Sequence, residues 1–122
     1  MSIAGWIVLA ALLPFVAAVS AKAGGEKFDN QMPREWLAKQ VGWRARANAA
    51  QANTFEALPF FYVAILYAHF SGVQAGQIHY LAGLWLVLRL LYIGAYILNI
   101  GLLRSGLWPA ALLVNIWLLF QA

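Results

Sequence analysis

Apolar residues fall into four long runs separated by short polar or glycine-bearing stretches. The runs cover about residues 3–21, 43–70, 78–103 and 107–122, and an α-helix needs roughly 20 residues to cross the hydrocarbon core of a bilayer. The first run carries no charge, and Pro14 in its middle would at most kink the helix. The fourth is the shortest, with Pro109 placed in its first turn, where proline is tolerated, and Asn115 as its only polar interior residue. The pattern predicts an all-α, integral membrane four-helix bundle forming one domain, 1–122.

The separators have different characters. Residues 22–42 open with Gly24-Gly25 and continue through mixed charges to Met32-Pro33-Arg34-Glu35. They read as an aqueous loop with a short interfacial helix over 33–40, its proline at the first turn. Residues 71–76 make a tight, uncharged turn flanked by His69 and His79; two histidines without carboxylates or cysteines beside them suit interfacial hydrogen bonding better than a metal. Arg104-Ser105-Gly106 forms the last return.

Two of the apolar runs contain polar rows at helical spacing. In the second, Arg46, Ala49, Asn53, Glu56 and Phe60 fall on one face; in the third, Arg89, Tyr92, Tyr96 and Asn99 follow 3-4-3 spacing. An unpaired charge at membrane depth costs at least about 2.5–3.5 kcal/mol, so Glu56 must face protein or water and needs a partner. Counted along antiparallel helices at 1.5 Å rise per residue, Glu56 and Arg89 reach overlapping depths. A Glu56–Arg89 ion pair, or a hydrogen-bonded network holding both, is the expected solution. Pro59 frees the Phe55 carbonyl and bends its span.

Composition excludes the soluble alternatives. Hydrophobic residues make up 64% of the 122 and charged residues 10%, with mean hydropathy +0.73, whereas soluble domains run near 45–50% apolar and about 25% charged. Six of the eight cations (Lys22, Lys27, Arg34, Lys39, Arg44, Arg46) cluster between the end of the first run and the opening of the second. That clustering is a topology signal rather than a nucleic-acid footprint: it places loop 22–42 in the cytoplasm and both termini on the other side. A cleaved signal peptide competes for the first run, since Ala-Lys-Ala at 21–23 resembles a cleavage site, but no cation precedes the run. With no cysteine, neither disulfides nor thiolate metal sites can form, and sulfur chemistry would have to come from a substrate.

Arg46, Tyr92, Tyr96 and Arg104 are hydrogen-bond donors near the basic side. Two polar faces on antiparallel helices describe a cavity for an anionic, hydrogen-bonding molecule, where a guanidinium or tyrosine hydroxyl could stabilise a developing thiolate or oxyanion. No Ser-His-acid set or phosphate loop is visible. Intramembrane Arg and Glu also serve simply to staple helices together, but stapling does not require polar residues in two helix-spaced rows.

The segment Asn53-Thr54-Phe55-Glu56-Ala57-Leu58-Pro59-Phe60 resembles the second helix of the MAPEG superfamily, the membrane-associated proteins of eicosanoid and glutathione metabolism, which carries Arg-x-x-x-Asn-x-x-Glu-x-x-Pro. The row Arg89-Leu90-Leu91-Tyr92-Ile93-Gly94-Ala95-Tyr96 is similar to that family's third helix, and the likeness extends over essentially the whole chain. The resemblance implies a homotrimer with glutathione, the cosubstrate, bound between subunits near the cytoplasmic side. Asn53 and Glu56 would hold the glutathione backbone, Tyr92 and Tyr96 would contact it, Arg104 would stabilise the thiolate, and Arg89 would sit in an ionic network beneath. The family's arginine four residues before the Asn is Ala49 here; Arg46, almost a turn earlier, either substitutes for it or leaves glutathione binding weakened or lost.

The resemblance therefore implies a glutathione-dependent transferase or peroxidase acting on lipophilic electrophiles or lipid hydroperoxides that arrive from the bilayer; the compact length makes a bacterial inner membrane the expected home. A non-catalytic relative that binds lipid or a partner protein is the alternative, favoured by Ala49. A small multidrug exporter fits poorly, because the first run holds no acidic residue.

Overall fold

The computed structural model describes residues 2–22 and 28–122; Gly24, Gly25 and Lys27 of the basic loop, and Ala23 of the cleavage-like Ala-Lys-Ala, lie outside them. The elements are α1 (Ile3–Lys22), α2 (Pro33–Ala38), α3 (Trp43–Phe70), α4 (Ala75–Ile97) and α5 (Gly101–Leu119). The described residues are helical or in turns, with no strand, as the patterning requires. Helices α1, α4 and α5 are long and apolar enough to cross a membrane, with mean hydropathies of 2.3, 1.6 and 1.5 over their most apolar windows. At 28 residues α3 is the longest, about 42 Å at the standard rise, and its N-terminal half carries the polar seam that lowers its hydropathy.

Small residues let the helices approach. α1 lies along α3, and Ala10, Ala17, Ala18 and Ala21 are buried on one side, Ala47, Ala50, Ala64 and Ala68 on the other. Without a Cβ branch to hold backbones apart, dispersion contacts between helices can form where lipid offers no hydrophobic drive. Deeper in the bundle the Phe61 and Trp85 rings stack at 4.0 Å and 10°, joining α3 to α4. α4 packs broadly on α5, which also touches α3. The outward faces are apolar: Val19, Leu102, Leu113 and Phe120 are all exposed, the arrangement expected of a surface solvated by acyl chains.

Hydrogen bonds close the end of the bundle away from the basic loop. Trp6 Nε1 donates to His79 Nδ1 at 2.8 Å, the kind of bond expected of that histidine, and the Tyr62 hydroxyl donates to the Ile7 carbonyl at 3.1 Å. α3 stops where Gly72 takes φ +79°, letting Val73 N reach Ala68 O and Gly72 N reach His69 O, a Schellman cap.

The last turn differs from the sequence expectation. The third helix ends at Ile97 rather than near 103, because Asn99 adopts φ +61° and forms a second Schellman cap: Ile100 N donates to Ala95 O at 2.9 Å and Asn99 N to Tyr96 O at 3.2 Å. Asn99 is thus a turn residue, not the end of the polar row. Arg104-Ser105-Gly106, expected to be the return, lies within the first two turns of α5, and Pro109 is interior to that helix. The unbroken apolar run through the turn concealed this stop, since asparagine in the left-handed region is its only local mark.

Candidate functional site

The polar rows meet around Arg89. The guanidinium is 1% exposed, and its Nη2 donates to Asn53 Oδ1 at 2.9 Å and to Thr54 Oγ1 at 3.0 Å. Thr54, fully buried, turns its own hydroxyl proton back to the Ala50 carbonyl at 2.7 Å, so its oxygen lone pair is free to accept from the arginine. Burying a cation is tolerable only when its donors are matched, and one nitrogen is matched twice here. The guanidinium also stands over the Tyr92 ring, Cζ at 4.3 Å from its centroid, a cation–π contact strengthened by the dry surroundings.

From Tyr92 the row continues towards the other end of α4. The Tyr92 and Tyr96 rings meet edge to face at 5.8 Å, and Arg104 of α5 covers Tyr96 with Cζ at 4.6 Å. Two cations and two tyrosines thereby form one continuous ladder. It exists because α5 begins at Gly101, which sets Arg104 on the first turn of a helix packed beside α4.

The expected Glu56–Arg89 ion pair does not form among the described residues: Asn53 and Thr54 take the guanidinium instead. Glu56 lies one turn further along α3 and is exposed, lining a cavity of about 170 Å³ between α3, α4 and α5. Asn53, Trp85, Arg89, Trp108 and Asn115 also line it. A second, shallower cavity of about 320 Å³ is bordered by Tyr92, Arg104, Ser105 and Trp108. Trp108 is common to both, so they adjoin.

Arg46 stands apart from this group. Its Nε donates to the Ile97 carbonyl at 3.0 Å, bonding one of the carbonyls left open at the C-terminus of α4, where a cation also meets the negative end of the helix dipole. Sequence reasoning aligned Arg46 with Asn53 but could not see this carbonyl. It also overlooked Thr54, whose place next to Asn53 was its one available signal, and it assigned no role to Trp85, Trp108 or Asn115 as cavity walls. Among the described residues no cluster of histidine, aspartate and glutamate could hold a metal ion.

A sequence model of the MAPEG family matches residues 1–122, the whole chain. This chain belongs to the MAPEG family. No curated protein and no solved structure matches it. Membership supports, in general terms, an integral membrane protein with a glutathione-related function of the transferase or peroxidase type. The residues of this MAPEG chain suit such a role chemically: cationic donors beside open cavities favour an anionic, hydrogen-bonding molecule.

Proposed function

We propose that the protein is a membrane-bound glutathione-dependent transferase or peroxidase that acts on lipophilic electrophiles or lipid hydroperoxides. The observation that carries this reading is the ladder from Asn53 and Thr54 through Arg89, Tyr92 and Tyr96 to Arg104, which runs beside two adjoining cavities. Asn53 and Glu56 offer polar contacts for the peptide backbone of glutathione, and Tyr92 and Tyr96 flank it. Arg104 is the catalytic residue: a guanidinium beside the sulfur favours the thiolate, the reactive form, in a poorly hydrated site where electrostatic stabilisation is strong. Arg89 is a positioning residue, holding Asn53 and Tyr92 in place from beneath.

In the transferase reaction the thiolate forms a carbon–sulfur bond while the leaving group departs with the electron pair, or an epoxide or enone accepts it and is then protonated. In the peroxidase reaction two glutathione molecules reduce one hydroperoxide to alcohol and water and leave as the disulfide. The protein supplies position and charge in both. The apolar exterior supports delivery of the second substrate from the bilayer, and the same proposal takes α3 as a fourth span, loop 22–42 as cytoplasmic, a bacterial inner membrane as the host and a homotrimer as the working form.

The test is glutathione binding to detergent-purified protein, followed by thiolate absorbance and conjugation of an aromatic electrophile. Binding with turnover supports the proposal; the absence of both overturns it. A second reading, a non-catalytic lipid- or partner-binding relative, is favoured by Ala49 at the family's arginine position together with the engagement of Arg46 by Ile97. Binding without turnover of any electrophile or hydroperoxide would favour that reading.

A further inference from the structure

We propose that the Trp6–His79 hydrogen bond is an acid-sensitive latch: a proton added at His79 Nδ1 frees the N-terminal turns of α1 from α4, at the end of the bundle away from the basic loop. The inference goes beyond the proposed glutathione chemistry and does not depend on it.

The bond fixes the protonation of the imidazole. An indole N–H only donates, and Trp6 Nε1 lies 2.8 Å from His79 Nδ1. Nδ1 therefore carries the lone pair, and the ring is neutral with its proton on Nε2. Imidazolium carries a proton on both nitrogens, so acid would set two N–H groups against each other at hydrogen-bond distance. The indole cannot adapt, because its nitrogen does not accept.

The surroundings offer the cation no substitute partner. The parts of the chain that reach this end lie within residues 2–21, 57–88 and 105–122, which contain no Asp, Glu, Lys or Arg. The groups that can titrate here are His69, Tyr62, Tyr67, Tyr80 and the two chain termini, and His79 bonds to none of them among the described residues. Tyr62 spends its hydroxyl proton on the Ile7 carbonyl, and His69 is exposed against Phe70. His79 also sits near the N-terminus of α4, where the helix dipole disfavours a cation.

The packing makes this tie the one that yields. α1 lies mainly along α3 and meets α4 over a short stretch. There the indole is tilted 35° to the imidazole, centroids 6.2 Å apart, and a Cβ on Gly83 would meet Trp6 Cη2 at 3.4 Å. His79 and Gly83 are about one turn apart on the same face of α4, so together they form a slot that the indole fills. Both rings are half-buried, which leaves water a short path to the pair. The Tyr62 bond ties α1 to α3 instead. Protonation thus parts α1 from α4 while α3 keeps its hold, and the α1–α4 seam opens. In the orientation proposed above, that seam reads the pH of the compartment opposite loop 22–42.

The chain has no cysteine, so Ala4→Cys and Gly76→Cys, both at exposed positions, accept spin labels on α1 and α4 for electron–electron distance measurement in lipid nanodiscs. The indole N–H signals of the unlabelled protein are followed by NMR, with Trp6 assigned through Trp6→Phe. Between about pH 8 and pH 5, the span in which histidine changes charge, the labelled protein is expected to gain a longer-distance population. The Trp6 N–H is expected to lose its downfield, hydrogen-bonded shift over the same range. His79→Gln supplies an acceptor that takes up no proton there and is expected to keep the short distance and the bonded signal throughout, whereas His69→Gln is expected to respond as the native chain does. A distance that does not change with pH overturns the proposal, as does a bonded Trp6 signal that persists at low pH. The same response in His79→Gln, or its loss in His69→Gln, also overturns it. The NMR titration uses the native chain, so that arm decides even if the labelled variants do not fold.

Discussion

Arg89 concentrates the residue-scale physics of this protein, because its charge is held by neutral acceptors rather than by a carboxylate. Asn53 and Thr54 accept from one nitrogen, and Tyr92 meets the guanidinium face. Thr54→Val keeps the shape and removes one acceptor, so it should lower stability in detergent thermal unfolding by about 1 kcal/mol. Simultaneous charge reversal at Glu56 and Arg89 should give no rescue over the single reversals, since no direct pair is there to restore; recovery of folded protein in the double variant would contradict the geometry. The catalytic assignment makes a different demand. Arg104→Ala should lower kcat by about a hundredfold, the scale of losing one preorganised electrostatic group, with glutathione affinity less affected. Glu56→Gln should weaken glutathione binding instead. Kinetics that move together in both variants would remove the two roles. Asn53, Glu56, Arg89, Tyr92, Tyr96 and Arg104 could all be picked out from spacing, because helical periodicity is local. That Thr54 rather than Glu56 faces Arg89 could not, because it depends on how far each helix is rotated about its axis.

At the scale of the element, the junction of α4 and α5 decides where Arg104 stands. Two devices hold it: the left-handed Asn99 with its Schellman bonds, and Arg46 reaching from α3 to the Ile97 carbonyl. Asn99→Ala keeps the Cβ but removes the short polar side chain with which asparagine offsets part of the roughly 1–2 kcal/mol that the left-handed region costs L-residues. Thermal unfolding should therefore show a loss of about 1 kcal/mol for Asn99→Ala and little or none for Asn99→Gly. A reversed order would mean that the turn is not left-handed at this residue. Helices α1 and α3 were legible in outline from the apolar runs, and Gly72 advertised the end of α3. The α4–α5 boundary was not legible, because Leu98, Ile100, Leu102 and Leu103 continue the apolar character on both sides of the stop.

For the molecule as a whole, the exposed carboxylate of Glu56 and the open cavities beside it set the outstanding demand. A carboxylate on a helix bordered by membrane spans must meet protein, water or a bound molecule. In the proposed assembly a neighbouring copy of the chain helps to enclose it. Native mass spectrometry of protein released gently from detergent should then show three chains, and a monomer that retains full glutathione turnover would exclude the shared site. Patterning alone was enough to establish a helical membrane protein with two hydrophilic stripes, since a bilayer admits only elements that satisfy their own backbone hydrogen bonds and the repeat of an α-helix places side chains from nearby positions. Which stripe residues touch, where the final turn falls, and that Asn115 and Arg89 border one cavity were settled only by the folded chain. Those outcomes turn on helix rotation, depth and crossing, and these are properties of pairs of helices that no single run of residues encodes.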